Sequence, residues 1–514
     1  MTHPEDPAGP EYLEPARGGP LPHGARARRR TPLLLAGLGV LGLGVVGGAA
    51  FGAYWYLSEG AQAAEALPAD SIGYVGLNLD PSGRQKLEAL ETLKKLPTIA
   101  AELDLDGPVE DIDVKQVVAE AVLADAPCEI DYAEDVRPWL GDRFGAAAVP
   151  SGDEPASMVL VVEVLDDEAA EEGVRDLLTC DGSDAGESAG WVVEDGWLVL
   201  AETPEIARGV VDDTAEGSLA EDEDFRRWTG EVGDAGVLTL YAAPEAPRVL
   251  ADALGGFFGP GAVAGMPSAY TDETSGSQGP DELDEAFEDF EGMAAVLRFE
   301  DGAVEIEAAG AAQDATAMLG DGVGDLVTGL PDETTAVLAA GLAEGWVEKT
   351  FGEDPSVPVD LESLLGQAAA LTVGPGLDPD ALLEAVFTGA LTDVPVAAVT
   401  RGDLASAEEA LAEAGPLATG LEARQVGDRV LVGPTGTWLD AVEAGGSLGG
   451  TDLFTSVVPD ADDAVVVFFL DLGEVGDVAA EADTAGALAQ LRALGVSAHA
   501  DGDVARALLR LTTD

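Results

Sequence analysis

The sequence predicts an α+β fold, in which one N-terminal transmembrane helix is followed by two tandem, repeat-related α+β domains with mainly antiparallel sheets. Three observations lead to this prediction. An uncharged apolar run fills residues 31–57. Beyond it, short alternating strand-like segments are mixed with helical ones, which favours α+β over a doubly wound parallel sheet. The same series of segments then occurs twice, over residues 67–325 and 326–514.

Composition sets outer limits on the protein. The chain has 514 residues and a formal net charge of −73, and 46% of its residues are hydrophobic. That length exceeds what one core usually fills, so two domains are expected. Residues 1–57 carry five Arg and four acidic residues, a net charge of +1, which leaves −74 for the remainder. Such a surface repels phosphate backbones and argues against nucleic-acid binding.

The apolar run predicts a membrane anchor. Its 27 residues exceed the roughly 20 that a helix needs to cross a bilayer core. Four arginines lie just before it, and no Lys or Arg follows until Arg84. The positive-inside rule then predicts a disordered cytoplasmic tail (1–30), a single-pass plasma-membrane helix (31–57), a linker (58–66) and an extracytoplasmic remainder.

Two further hypotheses concern the anchor segment. The first is a cleaved signal peptide, because an A-x-A sequence ends at Ala63, although the long Pro/Gly-rich tail and the length of the run favour retention. The second is homo-association through Gly44, Gly48 and Gly52, which lie four residues apart on one helix face. The run is rich in glycine throughout, so this spacing also arises by composition alone.

The repeat rests on the order of segments. In each half a Leu-Pro dipeptide (67–68 and 330–331) opens a strand, over residues 72–79 and 335–342. Each half continues with a second strand, then a strand followed by a helix, at 158–178 and 394–414. A hairpin, a short helix and an apolar strand come next in both.

Asp-Gly turns close the two halves, at Asp301-Gly302 and Asp501-Gly502. The predicted domains are 67–325, with a loop insertion near 255–279, and 326–514.

Three segments of the first half resemble a known family. They are LPADS at residues 67–71, NLDPSGRQK at 78–86 and WLGDR at 139–143. The chain resembles the actinobacterial domain-of-unknown-function family 3352, which is similar in having one anchor and a long outer region. The family has no assigned activity, so the resemblance implies placement and fold but no functional residue.

Few residues offer catalytic chemistry. His3 and His23 are predicted to be cytoplasmic, which leaves His499 alone outside and argues against Ser-His-Asp triads and multi-histidine zinc sites. The two cysteines, Cys128 and Cys180, are both predicted to be outside. An even pair in an oxidising compartment predicts a disulfide, with two unpaired buried thiols as the alternative.

One acidic loop has the spacing of metal ligands. Its candidate calcium ligands are Glu102, Asp104, Asp106, Glu110 and Asp113. They occupy positions 1, 3, 5, 9 and 12 of a loop between two helical runs and echo an EF-hand. Glu at position 1, Pro at position 7 and a short Asp at position 12 depart from that template. Calcium is therefore a possible cofactor on spacing alone, and the alternative is a solvated link between helices.

Two function classes remain open on the sequence. The preferred one is a non-catalytic binding or interaction module of the cell envelope, whose ligand or protein partner the sequence does not name. The alternative is an envelope enzyme that depends on carboxylates or a divalent cation. The scarcity of histidine and the lack of a nucleophile motif favour the first.

Overall fold

The computed structural model describes residues 62–78, 83–95, 100, 112–123, 130–151, 154–179, 190–233, 236–247, 290–312, 319–351, 361–377, 394–474 and 490–513. The predicted tail, the membrane helix and the loop near 255–279 lie outside these residues. Within the described residues, no helix is both long and apolar enough to cross a membrane.

Sixteen strands and eleven α-helices are found in the described residues. The strands are β1 Gly73–Asn78, β2 Leu140–Ser151, β3 Glu154–Val164, β4 Gly190–Glu194, β5 Trp197–Ala201, β6 Leu238–Ala242, β7 Met293–Glu300, β8 Ala303–Ala311, β9 Ala336–Gly341, β10 Ala368–Val373, β11 Val396–Thr400, β12 Leu421–Val426, β13 Arg429–Pro434, β14 Val466–Asp471, β15 Leu491–Asp501 and β16 Val504–Thr513. The helices are α1 Gly83–Lys94, α2 Val114–Leu123, α3 Asp167–Thr179, α4 Pro204–Glu216, α5 Glu223–Glu231, α6 Gly324–Thr328, α7 Trp346–Phe351, α8 Leu361–Leu365, α9 Leu404–Ala414, α10 Thr437–Ala444 and α11 Asp452–Val457.

The described strands form one antiparallel sheet, which confirms the predicted mixture of helices and antiparallel strands. Its order is β12-β13-β11-β10-β9-β14-β15-β16-β8-β7-β6-β1-β2-β3-β5-β4. The strands of both halves belong to this one sheet, because β8 pairs with β16 along nine residues. The predicted domain boundaries at 67, 325 and 326 stay a prediction.

The two halves have the same internal strand order. From its outer edge to the shared seam, the first half runs β4-β5-β3-β2-β1-β6-β7-β8, and the second runs β12-β13-β11-β10-β9-β14-β15-β16. The registers correspond too. Leu77 of β1 lies between Phe144 and Leu238. Leu338 of β9 lies between Leu371 and Phe468 in the same way.

Hydrogen bonds at the start of each half also correspond. The Leu219 amide donates to the Leu67 carbonyl at 2.8 Å, as the Leu448 amide donates to the Leu330 carbonyl at 3.0 Å. Leu67 and Leu330 are fully buried. The Leu-Pro dipeptides therefore anchor the entry to each half.

The turn between β7 and β8 forms where Asp301-Gly302 predicts it, with φ of 51° and 76°. Two consecutive positive φ values define the tight hairpin turn that Asp-Gly favours. The matching turn between β15 and β16 lies one residue later than predicted, at Gly502-Asp503, because Asp501 still pairs with β16.

The sheet has two faces, which we call the Tyr74 face and the Leu77 face after two residues of β1. Side chains alternate between the faces along each strand. The Tyr74 face carries an apolar core in each half, covered by α4 and α5 in the first and by α6, α10 and α11 in the second. In the first half the Leu77 face is buried as well, under α1 and α3.

Candidate functional site

The acidic loop contributes one described residue, Asp113. Its Oδ1 accepts a hydrogen bond from the Gln116 amide at 3.2 Å, as the capping side chain of a helix does at the start of α2. The other four candidates lie outside the described residues: Glu102, Asp104, Asp106 and Glu110. Among the residues that the structure describes, no group of three or more His, Cys, Asp or Glu could hold a metal ion. The calcium hypothesis stays a prediction.

Two other predicted features also lie outside the described residues. They are the disulfide between Cys128 and Cys180 and the glycine face of Gly44, Gly48 and Gly52. Both stay predictions.

His499 lies in β15 and is held from both ring nitrogens. Nδ1 lies 3.2 Å from the Asp463 carbonyl and Nε2 lies 3.3 Å from the Ser497 hydroxyl. Ser497 has no exposed surface, so its hydroxyl cannot reach a substrate. The contact with Asp463 connects β15 to the short helical turn before β14, which is a structural role.

An ion network occupies the Tyr74 face where the two halves meet. The Arg298 guanidinium donates from Nε to Glu305 Oε1 at 2.5 Å, from Nη1 to the Val232 carbonyl at 3.0 Å, and from Nη2 to Glu307. Arg510 of the second half approaches Glu305 with its Nε 3.4 Å from Oε2. Arg298 and Glu305 are buried, at 8% and 4% exposure.

A further contact joins the halves beside this network. Arg506 of β16 pairs with the Glu231 carboxylate at the end of α5. Counted together, the seam holds three arginines and three glutamates, so its formal charge is zero. Arg298 and Glu305 are buried, the Arg506–Glu231 pair is partly exposed, and the balanced set leaves no net charge for a ligand. The seam therefore positions the two halves.

The Leu77 face offers a different kind of surface. One row of residues, each paired with the next across neighbouring strands, crosses all sixteen strands and is apolar at every position. From one edge to the other, the row is Ala423, Val432, Ala398, Leu371, Leu338, Phe468, Val496, Leu509, Ile306, Leu297, Leu238, Leu77, Phe144, Val162, Leu198 and Val193.

Burial differs sharply between the two ends of this row. In the first half, Leu297, Val162 and Leu198 are between 2% and 5% exposed. In the second half, the central Leu338 and Leu371 are each 54% exposed. The first-half equivalents of Leu338 and Leu371 are Leu77 and Phe144, which are partly buried and pack against a core cluster. The same strand positions are therefore packed against a core in one half and exposed in the other. We call the surface around Leu338, Leu371 and Phe468 the open patch.

Neighbouring rows extend the open patch without adding charge. On one side are Ala340, Ala369 and Val466, and on the other Ala336, Val373 and Leu470. The strand backbones are hydrogen-bonded within the sheet, so the patch presents side chains that make apolar contacts only. Contiguous exposed apolar surface of this kind marks interaction sites. The open patch is the candidate functional site.

Sequence reasoning missed this site, although a signal was present. Two strands of the open patch are apolar at nearly every position and do not alternate between apolar and polar residues. They are β9, with the sequence AVLAAG, and β10, with the sequence AAALTV. A strand that is apolar on both sides is normally buried on both sides. Only the tertiary structure shows that one side is exposed.

Comparison with known proteins places part of the chain. Residues 38–179 match a family described as Protein of unknown function (DUF3352). This agrees with the resemblance carried by residues 67–71, 78–86 and 139–143, and supports a domain-of-unknown-function family. The actinobacterial source and the anchor that the resemblance implied stay predictions. No curated protein and no solved structure matches the chain.

Proposed function

We propose that this chain is a non-catalytic binding module of the cell envelope that engages a partner through the open patch. The observation that carries the proposal is the 54% exposure of both Leu338 and Leu371 on a sheet face that is core in the first half. Burying the exposed remainder of each leucine is worth about 1 kcal/mol. Their apolar neighbours add to this, so the patch provides a driving force for association.

A fluorescent dye that binds apolar surface tests accessibility of the patch. We expect the native protein to enhance its fluorescence, and Leu338→Arg and Leu371→Arg each to reduce that enhancement. Leu165→Arg is the matched control, because Leu165 is 63% exposed and receives the same charge outside the patch. If all three variants behave alike, or if the wild type binds no dye, the open patch is not the binding surface.

The proposed placement is a plasma membrane anchor at residues 31–57, with the N-terminus cytoplasmic and the later residues extracytoplasmic. The arginine cluster before an uncharged run supports it. Protease added outside intact spheroplasts should digest the chain beyond residue 57 and leave the tail. Protection of the large C-terminal part would contradict this topology.

A further inference from the structure

We infer that the partner segment bound by the open patch is a basic amphipathic helix. This inference rests on the proposed function and names the class of partner. Its starting point is the equivalent surface of the first half, which shows what kind of element covers these strand positions.

In the first half, α1 covers the Leu77 face. Ala89, Leu90 and Leu93 of α1 are 1%, 0% and 1% exposed. They form a core cluster with Leu297 and Phe299 of β7, together with neighbours from β1, β6 and β8. The spacing of the three residues places them on one side of a helix. A single amphipathic helix is therefore sufficient to bury this part of the sheet.

The surface that α1 covers reaches positions equivalent to the open patch. Its buried strand residues lie on β7 and β8, and Leu77 packs against them. Leu77 and Leu338 hold the same position in their halves, between a β2-type and a β6-type neighbour. The cluster around α1 also reaches Leu491 and Leu511 in the second half. The open patch therefore continues directly from a surface that already binds a helix.

The connection between the first two strands is shorter in the second half. Between β1 and β2 lie 61 residues, which include α1 and α2, whereas 26 residues lie between β9 and β10. The helix after β9, α7, has six residues. Among the described helices, α6 and α11 pack on the neighbouring strands but belong to the Tyr74-face core.

Charge selects the type of helix. Residues 83–95, which contain α1, carry four basic and two acidic residues, a net charge of +2 within a chain of net charge −73. A helix with basic residues on its outer side is attracted by the field of so acidic a protein. The same field disfavours two other partners. It repels a second copy of this acidic chain, and it does not attract an acyl chain, which is uncharged.

The test uses a peptide with the sequence of residues 83–95, capped at both ends and fluorescently labelled. A lactam between Glu91 and Lys95, which are exposed in the structure, holds it helical without altering its apolar side. We expect saturable binding to the full chain, measured by fluorescence anisotropy. Each of Leu338→Arg and Leu371→Arg should weaken it by at least about tenfold, the equivalent of about 1.4 kcal/mol. Leu165→Arg should change it by less than about twofold.

Two peptide variants separate the apolar and charge contributions. Leu90→Ser with Leu93→Ser removes the apolar side and should abolish binding. Replacing the four basic residues by Glu should weaken binding at low salt. Added salt should then reduce the difference in affinity between this peptide and the original one. Leu338→Ser provides a second protein variant should an arginine lower the melting temperature.

Each other result overturns the inference in a recognisable way. Dye binding at the patch without peptide binding refutes the helix but leaves the proposed binding surface. A dimer that Leu338→Arg dissociates identifies a second copy as the occupant. Failure of both dye and peptide, with the patch inaccessible, shows that other residues of this chain cover it and removes the proposed function as well.

Discussion

At the scale of single residues, Glu305 is paired with an arginine from each half of the sheet. Arg298 and Glu305 are buried on the Tyr74 face, and Arg510 approaches the same carboxylate from the second half. Taking charges out of water is costly unless each finds a partner. A shifted register of β16 on β8 would move Arg510 away from this carboxylate.

Glu305→Gln should destabilise the protein strongly. The substitution leaves two guanidinium groups beside a neutral amide, and breaking a buried pair costs about 3 kcal/mol. Urea denaturation measures the loss. Glu171→Gln is the control, because the Glu171–Arg175 pair is half exposed and should contribute less than about 1 kcal/mol. Equal effects of the two variants would contradict the buried network.

Two buried tyrosines predict how stability depends on pH. Burial raises the pKa of Tyr74 and of Tyr241 above the ordinary value. Both pack edge-on against Phe225 in the first-half core. The unfolded chain releases these protons near pH 10, whereas the folded chain retains them to higher pH. Their stabilising contribution is therefore complete below pH 10 and is lost as pH rises through the folded pKa.

Tyr74→Phe should flatten that loss, since it keeps the ring and removes the proton. Unfolding free energy measured by urea titration between pH 9 and 11 provides the comparison with the wild type. An unchanged slope would mean that Tyr74 ionises as freely in the native state as in the unfolded one.

At the scale of elements, local sequence patterns predicted most of the described structure. The helix expected at 404–414 is α9, Leu404–Ala414, and it stops where Gly415 takes a positive φ. The helical run expected directly after the acidic loop is α2, Val114–Leu123. These predictions succeeded because helix periodicity and turn residues are local signals.

The elements that sequence did not predict depend on distant partners. The pairing of β8 with β16 joins residues about 200 positions apart, and no local pattern specifies it. The alternation of charged and apolar residues around Glu305 and Glu307 is typical of a strand with one exposed face. In the structure both carboxylates instead pair with Arg298 of the neighbouring strand. The open patch was missed because strands that are apolar on both sides are normally buried on both sides.

The hairpin between β4 and β5 depends on a left-handed glycine. Gly196 has φ of 80°, and a Cβ there would meet only the Val164 carbonyl, at 3.8 Å. Gly196→Ala should therefore destabilise through backbone conformation, by roughly 1–2 kcal/mol. Gly209→Ala, in the interior of α4 with open space around it, should instead stabilise by about 0.5–1 kcal/mol. Thermal unfolding distinguishes the two, and a loss of equal size at both sites would contradict this explanation.

At the scale of the whole molecule, charge opposes folding. A net charge of −73 is self-repulsive, and mobile ions screen it. Added NaCl should therefore raise the melting temperature, and a melting temperature that is independent of salt would contradict this account.

Calcium and magnesium compared at equal ionic strength test the acidic loop separately. We expect equal effects, because Asp113 already caps α2. Stabilisation by calcium alone that Asp104→Ala with Asp106→Ala removes would instead establish a site.

The two halves have the same strand order but differ in how helices cover the sheet. In the first, both faces of the sheet are covered by helices of the chain. In the second, the Tyr74 face is covered and the open patch exposes Leu338 and Leu371. Their first-half equivalents, Leu77 and Phe144, are partly buried against a core cluster. Equal registers with unequal coverage support the proposal that the second half provides the binding surface.

Thiol labelling tests this central claim most directly. Leu338→Cys and Leu297→Cys replace the same residue type in one row of the Leu77 face, at 54% and 5% exposure. In the native full chain, with the wild-type thiol signal subtracted, we expect the cysteine at position 338 to react at nearly its unfolded rate. The one at position 297 should react more than about tenfold slower, since it waits for local opening. Equally slow reaction at both positions would show that the open patch is covered and would contradict the account.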